Sequence, residues 1–241
     1  MQFFVVFHRK LFDECYAKIP SDVLQKYFTF FAVNESIPKE YTPGKYKILN
    51  EWDLPIYDPT MQKNNYRENS ALYHVYANGL HKPYSRIGFF QYDMIFNENI
   101  VEKILNYPID APIGFCIFPT WIRDFIGSTA PGMADIIKKV IELYEQQFSK
   151  KIIRTTKSRI PPFKTVLDTS RLYPLLNSYV IPSSSFEKVM QWVVQLYGKV
   201  DLKGDTAGLY ESIMALALGT EDLQWRELNV LHDQDFKKPC Y

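Results

Sequence analysis

The sequence predicts an α/β fold: one domain around a mostly parallel central sheet with helices on its faces. Three observations carry that expectation. Short apolar, β-rich runs alternate with helical patterns at the spacing of strand-helix-strand units. The first of those runs, Phe3 to Phe7, is apolar at every position, as a buried strand should be. Finally, the 241 residues are 46% hydrophobic and 16% aromatic, with 17 Phe, 17 Tyr and 4 Trp, which excludes intrinsic disorder. A chain of this mass buries about 70% of its unfolded surface, which suits one large domain or two intimately packed lobes.

Taken in order, Phe3–Phe7 leads through the charged turn His8-Arg9-Lys10 into Leu11, Cys15 and Ile19 at helical spacing. That is a strand, a loop and a helix. Tyr27 to Val33 reads as a second strand closed by Asn34 and Pro38, and Lys45 to Leu49 as a third. Pro55 and Pro59 make Asp53 to Asn65 a loop. From Tyr66 to Asn78 the residues Ala71, Leu72, Val75 and Tyr76 share a helical face, and Asn78-Gly79 is a stop signal. Ile87 to Phe90 is a buried strand running into Gln91-Tyr92-Asp93-Met94. A short helix (Asn99 to Leu105), a strand (Ile113 to Phe118) and an amphipathic helix (Met133 to Phe148) follow. Beyond the basic, Pro-rich stretch from Lys150 to Lys164 come a strand at Leu175 to Ile181 and helices at Ser184 to Leu196 and Thr206 to Leu218. A last strand, Leu228 to Leu231, ends at His232. There is no internal repeat and no low-complexity tract.

The charge balance, 28 Lys+Arg against 27 Asp+Glu for a net +1, argues against nucleic acid as the main ligand. Cys15, Cys116 and Cys240 lack metal-ligand or redox spacing and read as free thiols, which points to the cytoplasm. The apolar run at the start is too short for a signal-peptide core, and no run approaches the ~20 residues of a membrane span.

Ligands of open α/β sheets sit at the carboxyl ends of strands. Three predicted strand ends carry polar clusters: His8-Arg9-Lys10, Gln91-Tyr92-Asp93 and His232-Asp233. The first offers an imidazole, a guanidinium fork and an ammonium near a helix start, suited to a diphosphate; the plain alternative is a solvated basic turn. Asp93 offers the hard oxygen that Mg²⁺ or Mn²⁺ takes, or simply opens a turn. His232 is a candidate second metal ligand or hydrogen-bond donor to a phosphate, set against the ordinary reading of a surface histidine. Glu211, expected in the first turn of an otherwise apolar helix, is either a general base facing a cleft or an acid that only steadies the helix dipole. Phosphate-binding and dinucleotide Gly loops, a nucleophile elbow and a zinc-protease pair are all missing, which lowers kinase, dehydrogenase and hydrolase readings.

The run Glu68-Asn69-Ser70-Ala71-Leu72-Tyr73-His74-Val75-Tyr76-Ala77-Asn78, followed by Ile87-Gly88-Phe89-Phe90-Gln91-Tyr92-Asp93-Met94, resembles the central block of capsular-polysaccharide-type glycosyltransferases. The opening strand with His8-Arg9-Lys10 is similar to that family's first strand and His-Lys pair. Asn177-Ser178-Tyr179-Val180-Ile181, the helix reaching Trp192, and Gly208-Leu209-Tyr210-Glu211 look like its acceptor-side blocks. The resemblance implies a single GT-A-like nucleotide-binding domain over residues 1–241, with 1–110 as the donor half and 111–241 as the acceptor half. It implies that His8, Arg9, Lys10, Arg67, Asn78, Gln91, Tyr92 and Asp93 hold a nucleotide-sugar, a UDP-sugar ahead of a GDP-sugar. Asn177, Ser178 and Tyr210 fall on the acceptor side, for a glycan or lipid-linked acceptor. Asp93 and His232 would hold Mn²⁺ or Mg²⁺, and Glu211 would be the base of an inverting transfer.

Two positions depart from the family pattern. The tetrad Gln91-Tyr92-Asp93-Met94 differs from the His-Tyr-Arg-Arg-like tetrad of bacterial relatives, and Gln91 stands where the GT-A metal motif has its first carboxylate. The latter supports a rival reading, a catalytically inactive carbohydrate- or nucleotide-sugar-binding module. A sugar nucleotidyltransferase is a further rival, but it would need a glycine-rich loop after the first strand that this chain lacks. Eight of the 17 tyrosines (Tyr41, Tyr46, Tyr57, Tyr66, Tyr73, Tyr76, Tyr84 and Tyr92) fall between Tyr41 and Asp93, and rings with a hydroxyl suit one wall of a sugar-nucleotide cleft.

Overall fold

In the first strand, β1 (Gln2–Phe7), alternate side chains go to opposite faces of a sheet, and both faces are covered. Phe4 and Val6 join one hydrophobic core, whereas Phe3, Val5 and Phe7 join the other, which is why the run shows no polar alternation. The computed structural model describes residues 1–8, 10–33, 44–115, 133–149, 154–156, 166–167, 177–200, 206–221, 223 and 225–228.

After β1 come α1 (Asp13–Tyr16), α2 (Ser21–Tyr27), β2 (Phe28–Ala32) and β3 (Ile48–Asn50). A 3-10 turn at Glu51–Asp53 and the short α3 (Thr60–Lys63) lead to α4 (Glu68–Ala77), β4 (Arg86–Gln91), α5 (Glu98–Asn106) and β5 (Ile113–Gly114). The remaining elements are α6 (Met133–Phe148), β6 (Arg154–Thr156), β7 (Val166–Leu167), β8 (Tyr179–Pro182), α7 (Ser183–Val193), α8 (Thr206–Thr220) and β9 (Arg226–Glu227). Among the described residues β6 and β7 pair only with each other, as a separate two-stranded sheet.

The main sheet has seven strands in the order β3-β2-β1-β4-β8-β5-β9. β3, β2, β1 and β4 are mutually parallel, as are β5 and β9, while β8 runs antiparallel to both of its neighbours. The expected single, mostly parallel α/β architecture is therefore the one observed. Buried residues of α4, α6, α7 and α8 cover the face that carries Phe4 and Val6, and those of α1, α2 and α5 cover the other. Among the described residues no helix is long and apolar enough to cross a membrane.

Several boundaries differ from the sequence expectation. Tyr27 closes α2 rather than opening a strand, and Lys45-Tyr46 lie in a turn ahead of β3. Val194 to Gly198 leave α7 in tight turns instead of extending it. The last strand sits at Arg226–Glu227, ahead of the expected Leu228 to Leu231, of which only Leu228 is described.

Gly88 at the middle of β4 shows how tightly the central strands meet. A Cβ there would stand 2.9 Å from Phe3 Cδ1 and 3.0 Å from Val180 Cγ2, so the ring of Phe3 occupies the space a side chain would need. Phe3 in turn packs edge-on against Phe28, with ring centroids 5.0 Å apart.

Candidate functional site

The chain builds β2 and β3 outward on one side of β1 and then places β4 on the other side. That reversal is a topological switch point, and in open α/β sheets the crevice at the carboxyl ends of the strands flanking it is where ligands bind. Register fixes what stands there. Val6 of β1 is level with Gln91 of β4, so His8 and the turn Gln91-Tyr92-Asp93-Met94 leave the sheet side by side.

Their side chains meet. The ring of His8 packs edge-on against Tyr92 at 5.2 Å between centroids, and Tyr92 stacks on Phe12 at 5.4 Å and 17°. Lys10 Nζ lies 5.5 Å over the ring of Phe12. The turn is steadied from below, since the Tyr16 hydroxyl reaches the carbonyl oxygens of Gln91 and Tyr92, each at 3.5 Å. Phe96 N–H also donates to Cys15 O at 2.9 Å. Burial raises the Tyr16 phenol well above its ordinary value, with nearby negative charge, Asp93 included, adding to the shift. It stays protonated and keeps its hydrogen for that role. Asp93 is half-buried, with Oδ1 enclosed by protein.

The antiparallel β8 brings further residues to the same edge. Phe89 is level with Tyr179, so Asn177 and Ser178, which precede β8, stand beside the end of β4. Asn177 Nδ2 donates to Asn69 Oδ1 at 3.2 Å, and Asn69 Nδ2 donates to the carbonyls of Tyr66 and Ala207, both at 3.1 Å. Asn69 is fully buried and ties the start of α4, the start of α8 and the approach to β8 into one corner. Arg67, just before α4, is exposed and holds a left-handed backbone (φ 51°), and its Nε donates to Asn65 Oδ1 at 3.2 Å.

The site residues singled out from the sequence fall into several groups. His8, Lys10, Gln91, Tyr92 and Asp93 stand together at the switch point, and Arg67, Asn177, Ser178, Tyr210 and Glu211 belong to elements that start or end on the same edge. Asn78 goes elsewhere. It closes α4 at the end that leads back to the start of β4, where its side chain bonds the N–H and carbonyl of Ile56 at 2.9 and 2.8 Å. Tyr210 is fully buried, and its hydroxyl donates to Leu196 O at 2.6 Å, with Val200 O also 3.1 Å away. Glu211 is half-buried and is the sixth residue of α8, so it sits in the second turn rather than the expected first, where the helix dipole acts more weakly on it. Arg9 and His232 lie outside the described residues.

Phe12, Tyr16 and Asn69 were not singled out by the sequence. Nothing local marks them, because each acts on a partner brought near only by folding. The same holds for a buried polar group beneath α4, where Ser70 Oγ donates to Glu51 Oε2 at 2.6 Å and His74 Nδ1 lies 2.8 Å from Ser70 O and 3.3 Å from Glu51 Oε2. Asp58 N–H donates to His74 Nε2 at 3.0 Å. Those neighbours place the imidazole hydrogen on Nδ1 and leave Nε2 occupied as an acceptor. With all three side chains fully buried, this Ser-His-Glu set braces the fold and does not act as a nucleophilic triad. The tyrosines divide too: Tyr46 and Tyr66 are core residues, and Tyr66 packs on Tyr197 and Tyr210, whereas Tyr92 stands at the site.

Fold and site together define an α/β domain with a cluster of polar and aromatic side chains at its switch point. Among solved structures, the chain is similar to the ligand-free bifunctional glycosyltransferase WbbM, with a TM-score of 0.56 at 12% identity, over 95% of this chain and 44% of that one. The likeness shows a shared fold, of the GT-A-like glycosyltransferase type, and the chain spans less than half of the WbbM structure. A second similarity, to the galactosyltransferase LgtC in complex with donor and acceptor sugar analogues, has a TM-score of 0.41 at 9% identity over 93% of this chain and 73% of that one, too low to weigh. No family model matches the sequence, and no curated protein matches it.

Proposed function

We propose that the protein is a glycosyltransferase that moves a sugar from a nucleotide-sugar, a UDP-sugar ahead of a GDP-sugar, to a glycan or lipid-linked acceptor. The observation that carries the reading is the convergence of His8, Lys10, Tyr92 and Asp93 at the switch point of a glycosyltransferase-type sheet. Cations and an imidazole suit a diphosphate, and the exposed part of the His8-Tyr92-Phe12 cluster suits a base or ribose. Arg67, held at positive φ on the same edge, fits a donor contact, because backbone strain of this kind collects at functional sites.

Asp93 supplies one hard oxygen donor, and among the described residues no group of three His, Cys, Asp or Glu side chains gathers. One carboxylate suffices for Mg²⁺ or Mn²⁺ when substrate phosphates complete the shell, with His232 the candidate second ligand. A cation bound there would neutralise charge on the departing diphosphate. In the inverting reaction the acceptor oxygen forms a bond to the anomeric carbon, the bond from that carbon to the diphosphate oxygen breaks, and the acceptor proton passes to Glu211.

Thermal shift against UDP-, GDP- and CMP-compounds, with and without Mn²⁺, tests the donor site. A UDP-compound should raise the midpoint in the wild type and not in Asp93→Ala; no shift with any compound, or equal shifts in both proteins, removes the assignment. Glu211→Gln should lower turnover by about 10²–10⁴-fold with donor binding retained. Unchanged turnover would exclude Glu211 as base. Donor binding without turnover in the wild type would favour the inactive binding module suggested by Gln91.

A further inference from the structure

We infer a second binding site, for a phosphoryl-type oxyanion, on the edge of the sheet opposite the switch point. An open groove of about 470 Å³ lies there between the segment leading into β4 and the start of α7, lined by His81, Lys82, Tyr84, Ser85, Ser183, Ser184 and Glu187. The start of α7 is unusual. Its N-cap is Pro182, whose side chain has no acceptor, and its first turn carries serines and no acid. Most helices meet the positive end of their dipole with Ser, Thr, Asp or Asn at the cap, or with acids in the first turn. No side-chain acceptor caps this one, and among the described residues the Ser183 N–H bonds elsewhere in the fold, to Ser85 O at 3.0 Å.

A separate observation points to a ligand. Ser183 lines the groove with 8% of its surface exposed, and its hydroxyl oxygen is enclosed without a hydrogen-bond partner. A buried hydroxyl left unsatisfied is unfavourable, and when the Ser183 side chain rotates toward the groove an oxyanion seated against the helix start accepts its hydrogen together with those of the neighbouring amides. Exposed Lys82 adds a cation at the rim. The one carboxylate in the lining, Glu187, is engaged by His81 Nε2 in a short contact. The groove therefore offers hydroxyl and amide donors and an ammonium to a compact tetrahedral anion. The ligand class is inorganic phosphate or a phosphate monoester, either free in solution or as a phospholipid headgroup. None of this rests on the donor-site reading.

The test is an amide NMR titration of the full chain with sodium phosphate against sodium chloride at matched ionic strength. Saturable shifts confined to Ser183–Phe186 and the Lys82–Ser85 segment are expected, with half-saturation at about 1–10 mM. Lys82→Ala should weaken binding several-fold. Ser184→Asp, which places a carboxylate at the helix start, should raise the thermal midpoint without phosphate and abolish the phosphate shifts. Glycerol 3-phosphate in solution and vesicles containing phosphatidic acid, set against phosphatidylcholine vesicles, separate the two sources. Absence of saturable shifts in the wild type overturns the proposal, even if Ser184→Asp is stabilising, since that would show only a poorly capped helix. Shifts unchanged by Lys82→Ala and Ser184→Asp overturn it equally.

Discussion

Asn69 illustrates how one buried polar residue can define a site without touching a ligand. Its amide meets two carbonyls and the side chain of Asn177, and so fixes the segment that precedes β8 against α4. Asn69→Ala would orphan those groups, and should lower unfolding free energy by about 3 kcal/mol in urea titration. Tyr92 makes the complementary case. Its ring is shared by His8 and Phe12, so Tyr92→Phe should leave donor affinity within a few-fold of wild type, while Tyr92→Ala should weaken it at least about tenfold in calorimetry. Equal effects of the two substitutions would mean that the hydroxyl, not the ring, makes the contact.

At the scale of elements, β4 carries the most constraint. It pairs with β1 on one side and antiparallel β8 on the other, and Gly88 lies where all three strands meet. Gly88→Ala should cost about 1–3 kcal/mol, because the new methyl must displace Phe3 and Val180 in a packed core. The turn after β4 is carried on that strand, so the same variant should also weaken donor binding. Part of this layout was legible beforehand. β1 and β4 were visible as apolar runs, and α6 matches its expected limits because amphipathic periodicity is a local property. The direction of β8 was not legible, since a strand reads alike both ways and only its partners orient it.

For the molecule as a whole, aromatic packing sets a limit at high pH. Burial holds the phenols of Tyr16, Tyr179 and Tyr197 above the ordinary value of 10.0. Below that value these groups are protonated in both folded and unfolded chains, so they leave stability unchanged. As pH rises past 10.0 the unfolded chain releases protons that the folded chain keeps, and stability falls. Urea midpoints should fall steeply between about pH 10 and pH 12, with phenolate absorbance from these tyrosines emerging together with unfolding. Phenolate signal from all tyrosines ahead of unfolding would contradict their burial.

The sequence by itself determined the α/β alternation, the double burial of the opening strand and the two polar strand ends, because each depends on residues within a few positions of one another. The tertiary structure alone decided that His8 and Tyr92 touch, and that Asn177 and Ser178 join their edge through an antiparallel strand. It also sent Asn78 to the opposite edge. The physical reason is the same in each case. Side-chain periodicity is fixed by local backbone geometry, whereas which strand ends meet is fixed by sheet order and register, which depend on burying two cores at once.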